Sequence, residues 1–188
     1  MEQIRMNIIS SKAKIGNNVS FGNFVTVYDH VEIGDNSIIE SYCEIGYSNG
    51  REKGPLKIGK NARIRSHSII YQGSLIGDNL VTGNHAIIRE NMQIGDGFQA
   101  GAAAIIMGEA VIGNHVKTGS MIEIGQFSKV GNFVRVYLGS KLINDLYPPS
   151  EKLIGPVIAD YAILGVDCII MPDIRAGQCI TCGINADE

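Results

Sequence analysis

The chain reads as all-β, a triangular solenoid of short parallel strands built on one continuous repeat. Three observations predict this. An aliphatic position recurs every sixth residue from Ile15 to Leu142, with one break near residue 50. Of the 21 positions in that series, 17 are Ile, Val or Leu and 13 are followed directly by Gly, so the pattern is a true repeat and not a bias of composition. A period of six matches neither a 3.6-residue helix nor the two-residue alternation of a simple strand. It fits a prism in which one hexad makes one flat side and three hexads, 18 residues, close one coil.

We name the recurring position the pin and the three sides A, B and C. Side A carries Ile15, Ile33, Ile58, Ile76, Ile94, Ile112 and Val130. Side B follows six residues later at Phe21, Ile39, Ile64, Thr82, Ala100, Thr118 and Val136. Side C holds Val27, Ile45, Ile70, Ile88, Ile106, Ile124 and Leu142. Each pin points inward onto the pin one coil away, roughly 4.8 Å distant, and its two neighbours point outward. The residue four after the pin is often small, as at Ser37, Cys43, Ala62, Ser68, Ala86 and Ala104, and is expected to turn the corner. Two insertions, near 50–57 and 145–157, interrupt the beat, and both fall after side C. They are expected to project from one edge, where solenoids carry binding loops, or else to be tolerated surface insertions. One domain over residues 1–188 is expected, with roughly ten coils at 18 residues each.

A net charge of −3 argues against a general nucleic-acid binder. No apolar run is long enough to span a membrane, and residues 1–10 lack a secretory apolar region, so a cytoplasmic location is expected. Cys43 and Cys168 fall at inward positions and are expected to be buried. Cys179 and Cys182 form a lone C-x-x-C, a weak zinc or redox signal without partners, and no metal is expected.

All four histidines sit three residues after a pin: His30, His67, His85 and His115. His67 and His85 are 18 residues apart and therefore stack at the corner between sides B and C. The outward positions of side C read Ile69 and Tyr71, Ile87 and Arg89, Ile105 and Met107. An isolated prism would place polar residues there, so this side is expected to be a subunit interface.

The beat resembles that of the hexapeptide-repeat acyltransferases, whose fold is a left-handed parallel β-helix and which usually act as trimers. Ile64-Arg-Ser-His-Ser-Ile-Ile-Tyr71, Thr82-Gly-Asn-His-Ala-Ile-Ile-Arg-Glu90 and Leu142-Ile-Asn-Asp-Leu-Tyr-Pro-Pro-Ser-Glu151 resemble the sugar-nucleotide N-acyltransferases of the WxcM-like type, which act on dTDP-linked 3-amino-3,6-dideoxyhexoses. The apolar stretch Gly101–Gly108 departs from that pattern, and the chain stops at Glu188, short of a further coil usual in such enzymes; it is expected to be truncated or part of a longer protein.

The resemblance implies acyl transfer from acetyl-CoA, without a metal, to the amine of a nucleotide sugar. A neutral imidazole suits removal of the amine proton, so His85 is the candidate base and Glu123 the second acid/base candidate. A solvated turn residue is the alternative for His85. Arg65 and Arg89 suit phosphate, with His67 and Tyr71 beside the substrate and Glu90 orienting the imidazole. Asn144 and Asp145 lie in a stiff loop expected to cover a neighbouring site. By the resemblance alone, CoA runs past Gly139, Ala162, Gly165 and Arg175. Other acceptors (serine, an antibiotic, a lipid precursor) and a non-CoA use of the fold, such as a γ-class carbonic anhydrase, remain as alternatives.

Overall fold

The computed structural model describes residues 6–177 and the backbone of 179–180. The side chains of Cys179 and Cys182 lie outside the described residues. Among the described residues every regular element is a strand, most of them two residues long. The strands form three parallel nine-stranded sheets, each collecting every third strand of the chain. The pairing step is 18 residues, as in Ile69 with Ile87 and Ile105 with Glu123. The step lengthens between Lys129 and Val157 and between Val31 and Leu56, where the two insertions join side C to side A. This is a left-handed parallel β-helix of hexapeptide repeats.

The pins form the core. Ile39, Ile64, Ile70, Ile88, Ile106 and Ile124 are fully buried, stacked coil on coil. Burying each such side chain contributes about 1.5–3 kcal/mol, so the column is the main source of stability. The residue four after the pin departs from expectation in one respect. It does not turn the corner but points inward, and it is large wherever the core leaves room, as at Leu80, Met92, Phe98 and Ile122. Phe98 shares a face of its strand with the pin Ala100, so a large side chain stands beside a small one. Where it is serine, the hydroxyl is satisfied: Ser74 Oγ donates to the Arg89 carbonyl (2.9 Å) and accepts from Met92 N (3.1 Å).

The corner itself is turned by the residue three after the pin. Among the described residues all 19 non-glycine residues with positive φ, from 52° to 62°, occupy that position, His30, His67, His85 and His115 among them. Such angles cost about 1–2 kcal/mol per residue, least for Asn and Asp. In most of them the cost is offset by an N–H donated to the previous coil, as from Asn36 to the Asn17 carbonyl (2.8 Å). A strained histidine is therefore a consequence of the repeat and by itself marks no site.

Side A explains the glycine that follows the pin. Two residues after the side-A pins, except at Lys60, stands an Asp or Asn, and those in successive coils accept the backbone N–H of the equivalent residue one coil back: Asp78 N to Asp96 Oδ1 (2.8 Å), Asp96 N to Asn114 Oδ1 (2.8 Å), Asn114 N to Asn132 Oδ1 (2.9 Å). The acceptor oxygen occupies the space of a side chain at the preceding glycine. A Cβ on Gly95 would lie 2.5 Å from Asn114 Oδ1 and 2.9 Å from the Gly113 carbonyl carbon. Gly95→Ala is therefore expected to destabilise the helix by about 1–3 kcal/mol, the cost of overpacking, although alanine ordinarily stabilises an extended chain relative to glycine. Urea unfolding of the variant, read as a lower midpoint at unchanged slope, checks this.

Candidate functional site

The corner between sides B and C carries a ring column. Phe24, Tyr42, His67 and His85 stack in successive coils, with centroids 5.2, 4.9 and 4.8 Å apart and planes within 20°. The 18-residue spacing dictates the His67–His85 step, and the coil spacing makes the stack close-fitting. Beyond His85 the column stops at Ala103, the next corner residue. One face of the His85 ring is thus covered by His67 and the other meets only a methyl group. Both histidines are exposed, and neither nitrogen of His85 has a hydrogen-bond partner among the described residues. A groove of about 440 Å³ on side B flanks this column, lined by Phe21, Ile38, Glu40, Tyr42, Ser66 and His67. A second depression of about 490 Å³ lies on another edge, around Lys14, His30 and Glu52, and holds neither His67 nor His85.

The face of side C has two more rows. The middle row runs Glu44, Ile69, Ile87, Ile105, Glu123 in pairing register, three isoleucines between two carboxylates. Glu123 is half-buried, one coil below Ile105, and makes no ion pair among the described residues. The row at the far edge runs Tyr28, Tyr47, Tyr71, Arg89. Tyr28 meets Tyr47 edge-on at 6.1 Å, Tyr47 meets Tyr71 at 5.1 Å, and the Arg89 guanidinium lies 5.1 Å over the Tyr71 ring. Tyr47 enters the row through a register shift beside Gly46, whose φ is +89° and whose position leaves no room for a side chain against Val31. Bulges re-aim side chains in this way. Burial, reinforced by the hydrogen bond to Glu44 (2.9 Å), pushes the Tyr28 phenol up to about 12.

Glu90 does not orient His85. It lies under the far edge of side C, almost fully buried, and takes a two-pronged ion pair from Arg89: Nε to Oε2 at 2.8 Å and Nη2 to Oε1 at 3.2 Å. A side chain at Gly108 would press on the Glu90 carboxyl carbon at 3.2 Å, so that glycine makes room for the pair. Burial raises the Glu90 carboxyl, but the Arg89 hydrogen bond and lesser ones from its surroundings hold it below the ordinary range.

The remaining predicted residues scatter. Arg65 is on side B, half-exposed, its N–H donated to Thr82 Oγ1 (2.9 Å). Arg63 pairs with Glu40 at 3.3 Å. Asp145 is consumed within its own loop, accepting from the N–H groups of Tyr147 and Ser150 and from the Ser150 hydroxyl. The Asn144 carbonyl accepts Ile154 N at 2.9 Å, closing the same loop. Gly139 is at the B–C corner, and Gly165 on side B accepts Ser140 Oγ at 2.7 Å. Ala162 is fully buried and faces the core, so its side chain touches no ligand, and Arg175 is on side A, away from both glycines. Of the tyrosines in the row and the ring column, Tyr28, Tyr47 and Tyr42 escaped the sequence reading, which named Tyr71 and Arg89, because the insertion and the bulge at Gly46 hide the period. Tyr42 to His67 and Tyr47 to Tyr71 are coil steps only once the extra residues are removed.

Glu90→Gln leaves Arg89 with a weaker partner and is expected to cost about 2 kcal/mol, at the low end for a buried pair because Arg89 keeps a solvated edge. The Glu90 carboxyl is depressed below its unfolded value of 4.5. Its stabilisation is therefore present above that pH and fades as the pH falls through the folded value. Thermal melts from pH 7 to 3 should show the gap between the two proteins closing on the acid side.

The bacterial transferase hexapeptide model, of six repeats, matches residues 12–47. A comparison with curated protein sequences finds no match. Solved structures share the architecture. UDP-N-acetylglucosamine O-acyltransferase (LpxA) from Moraxella catarrhalis RH4 superposes with a TM-score of 0.64 at 21% identity, over 84% of this chain and 68% of that one. LpxA from Acinetobacter baumannii gives 0.58 at 20% identity, over 88% and 68%. The Arabidopsis UDP-N-acetylglucosamine acyltransferase gives 0.56 at 13%, over 87% and 59%. In its repeat and its fold the chain matches the hexapeptide-repeat acyltransferases.

Proposed function

We propose that the protein transfers an acetyl or related acyl group from acyl-CoA to the amine of a nucleotide-linked amino sugar, at side C of a homotrimer. The observation that carries this reading is His85: an exposed imidazole with no partner, held by stacking on His67 at the edge of an apolar face. In the reaction the amine nitrogen bonds to the thioester carbonyl carbon, and the C–S bond breaks as the tetrahedral intermediate collapses. His85 accepts the amine proton and returns it to the departing CoA sulfur. Glu123, one coil beyond the isoleucine row, is the alternative proton carrier.

The same corner offers donors for the oxyanion. On side A an Asp or Asn caps the N–H two residues after most pins. On side B the equivalent residues beside His85 are Asn84 and Ala102, and neither N–H meets an acceptor among the described residues. Ala102 stands where side A would supply the capping oxygen. An uncapped N–H in a water-poor cleft is suited to a developing negative charge. The outward isoleucines of side C favour burial against a second copy, which would supply that cleft.

Release of free CoA thiol from acetyl-CoA, with dTDP-3-amino-3,6-dideoxyhexoses as acceptors, tests the reading. Acceptor-dependent release is expected, and His85→Ala should lower kcat by about 10²–10⁴-fold at unchanged melting temperature. Release from a hydroxyl acceptor alone would replace the amine in this scheme. Sedimentation should give a trimer, and a monomer at assay concentration would remove the shared cleft.

A further inference from the structure

The first insertion, residues 48–55, is fastened to the prism three coils deep. Asn91 does most of the fastening. Its amide donates from Nδ2 to the Arg51 carbonyl (2.9 Å) and accepts from Lys53 N at Oδ1 (2.7 Å). One side-chain amide thus satisfies two backbone groups of the loop, as a neighbouring strand would. Gly73 has no side chain because the Asn91 amide lies against it. Lys53 Nζ reaches a further coil, to Glu109 at 3.0 Å. The loop so held brings Asn49 beside Glu90, where with the stronger Arg89 pair it helps to hold the carboxyl below its ordinary range.

The consequence falls on Arg89. Glu90 takes the side-on edge of the guanidinium, Nε and Nη2, and fixes its plane. Tyr71 covers one flat face at 5.1 Å. The end-on edge keeps its Nη1 donors, which have no partner among the described residues. A guanidinium held on two sides with one fork uncommitted binds a planar or tetrahedral oxyanion bidentately with little entropy left to lose. The row above it is aromatic, Tyr71 then Tyr47, the latter exposed. Phosphate donors beside stacking surfaces suit a nucleotide better than a free sugar.

We infer that Asn91 is a positioning residue: by fastening loop 48–55 over Glu90 it holds Arg89 as a preorganised receptor for the phosphate of a nucleoside diphosphate carried across the tyrosine row. The inference deepens the proposed function by placing the nucleotide at the far edge of side C, opposite His85.

The test is calorimetric titration of the intact protein with dTDP, UDP and inorganic pyrophosphate. Wild type should bind both nucleotides more tightly than pyrophosphate, which lacks a ring to stack. Arg89→Lys should weaken dTDP binding by about tenfold or more, since an ammonium cannot present a fork. Asn91→Ala should weaken it about three- to tenfold with the melting temperature nearly kept, because the prism core does not depend on the loop. Asn91→Asp, which retains only the acceptor, should fall between, and guards against misfolding of the alanine variant. In the thiol-release assay the Asn91 variants should raise KM for the nucleotide sugar and leave kcat nearly unchanged. Wild type that binds no nucleotide, or folded Asn91 and Arg89 variants that bind dTDP as wild type does, would overturn the inference. Nucleotide binding that follows this order with no thiol release from any amino sugar would overturn the proposed reaction and leave the receptor standing.

Discussion

Everything in this molecule depends on the close approach of backbone to backbone from one coil to the next. Hydrogen-bonded parallel strands fix that spacing near about 4.8 Å, and an 18-residue coil puts each residue over its own equivalent. Two demands follow. Inside, like must stack on like, so the pin is aliphatic in coil after coil. At the corners, donors left by the turn must find acceptors in the next coil. Side A solves the second with Asp and Asn, and their oxygens fill the space over the preceding glycine. The glycine and the acid amide are therefore one device seen at two positions, and the motif Ile-Gly-Asp/Asn needs both.

Where this device lapses, the surface changes character. On side C four of the seven pins named above are followed by Tyr28, Tyr71, Arg89 or Met107 in place of glycine. With no capping side chain arriving from the next coil, there is room for large outward groups, and these stack into the Tyr–Tyr–Tyr–Arg row. On side B the cap is lost beside His85, leaving backbone donors open at the ring column. Structural regularity is densest on side A, and the groups suited to the proposed chemistry gather on the side least committed to it. The exposed histidine, the open N–H groups and the preorganised guanidinium all border one face.

Much of this was legible from residue spacing alone. The period of six specifies the prism, the 18-residue spacing specifies the His67–His85 stack, and the outward isoleucines mark side C. Other features were not legible for definite reasons. Which residue of a hexad takes the left-handed angle depends on how the coil closes, and small residues at the fourth position suggested the wrong one. The tyrosine row is broken in sequence by an insertion and by the bulge at Gly46, so no fixed interval connects its members. The role of Glu90 turned on the direction of its side chain: it lies five positions after His85, across a side of the prism. Adjacent in sequence to Arg89, it also touches Arg89 in space, and that local pairing excluded the longer reach.

A flat side of a prism is half a site. Ligand clefts enclose most of a small molecule, whereas side C alone can cover one surface of it. Its two polar edges, the histidine column and the Arg89 fork, stand at opposite borders of the isoleucine row. A substrate lying across that row would meet apolar carbon beneath it and water above it, where hydrogen bonds to an oxyanion or a phosphate are weakest. For the proposed chemistry, the same isoleucines that make side C a poor outer surface make it a good inner one once a second copy closes over it. Burial of the row would then dry the edges, and the imidazole and the guanidinium would act on a substrate held between two walls. The apolar strip and the polar edges are in this sense a single feature: the strip recruits the wall that gives the edges their strength.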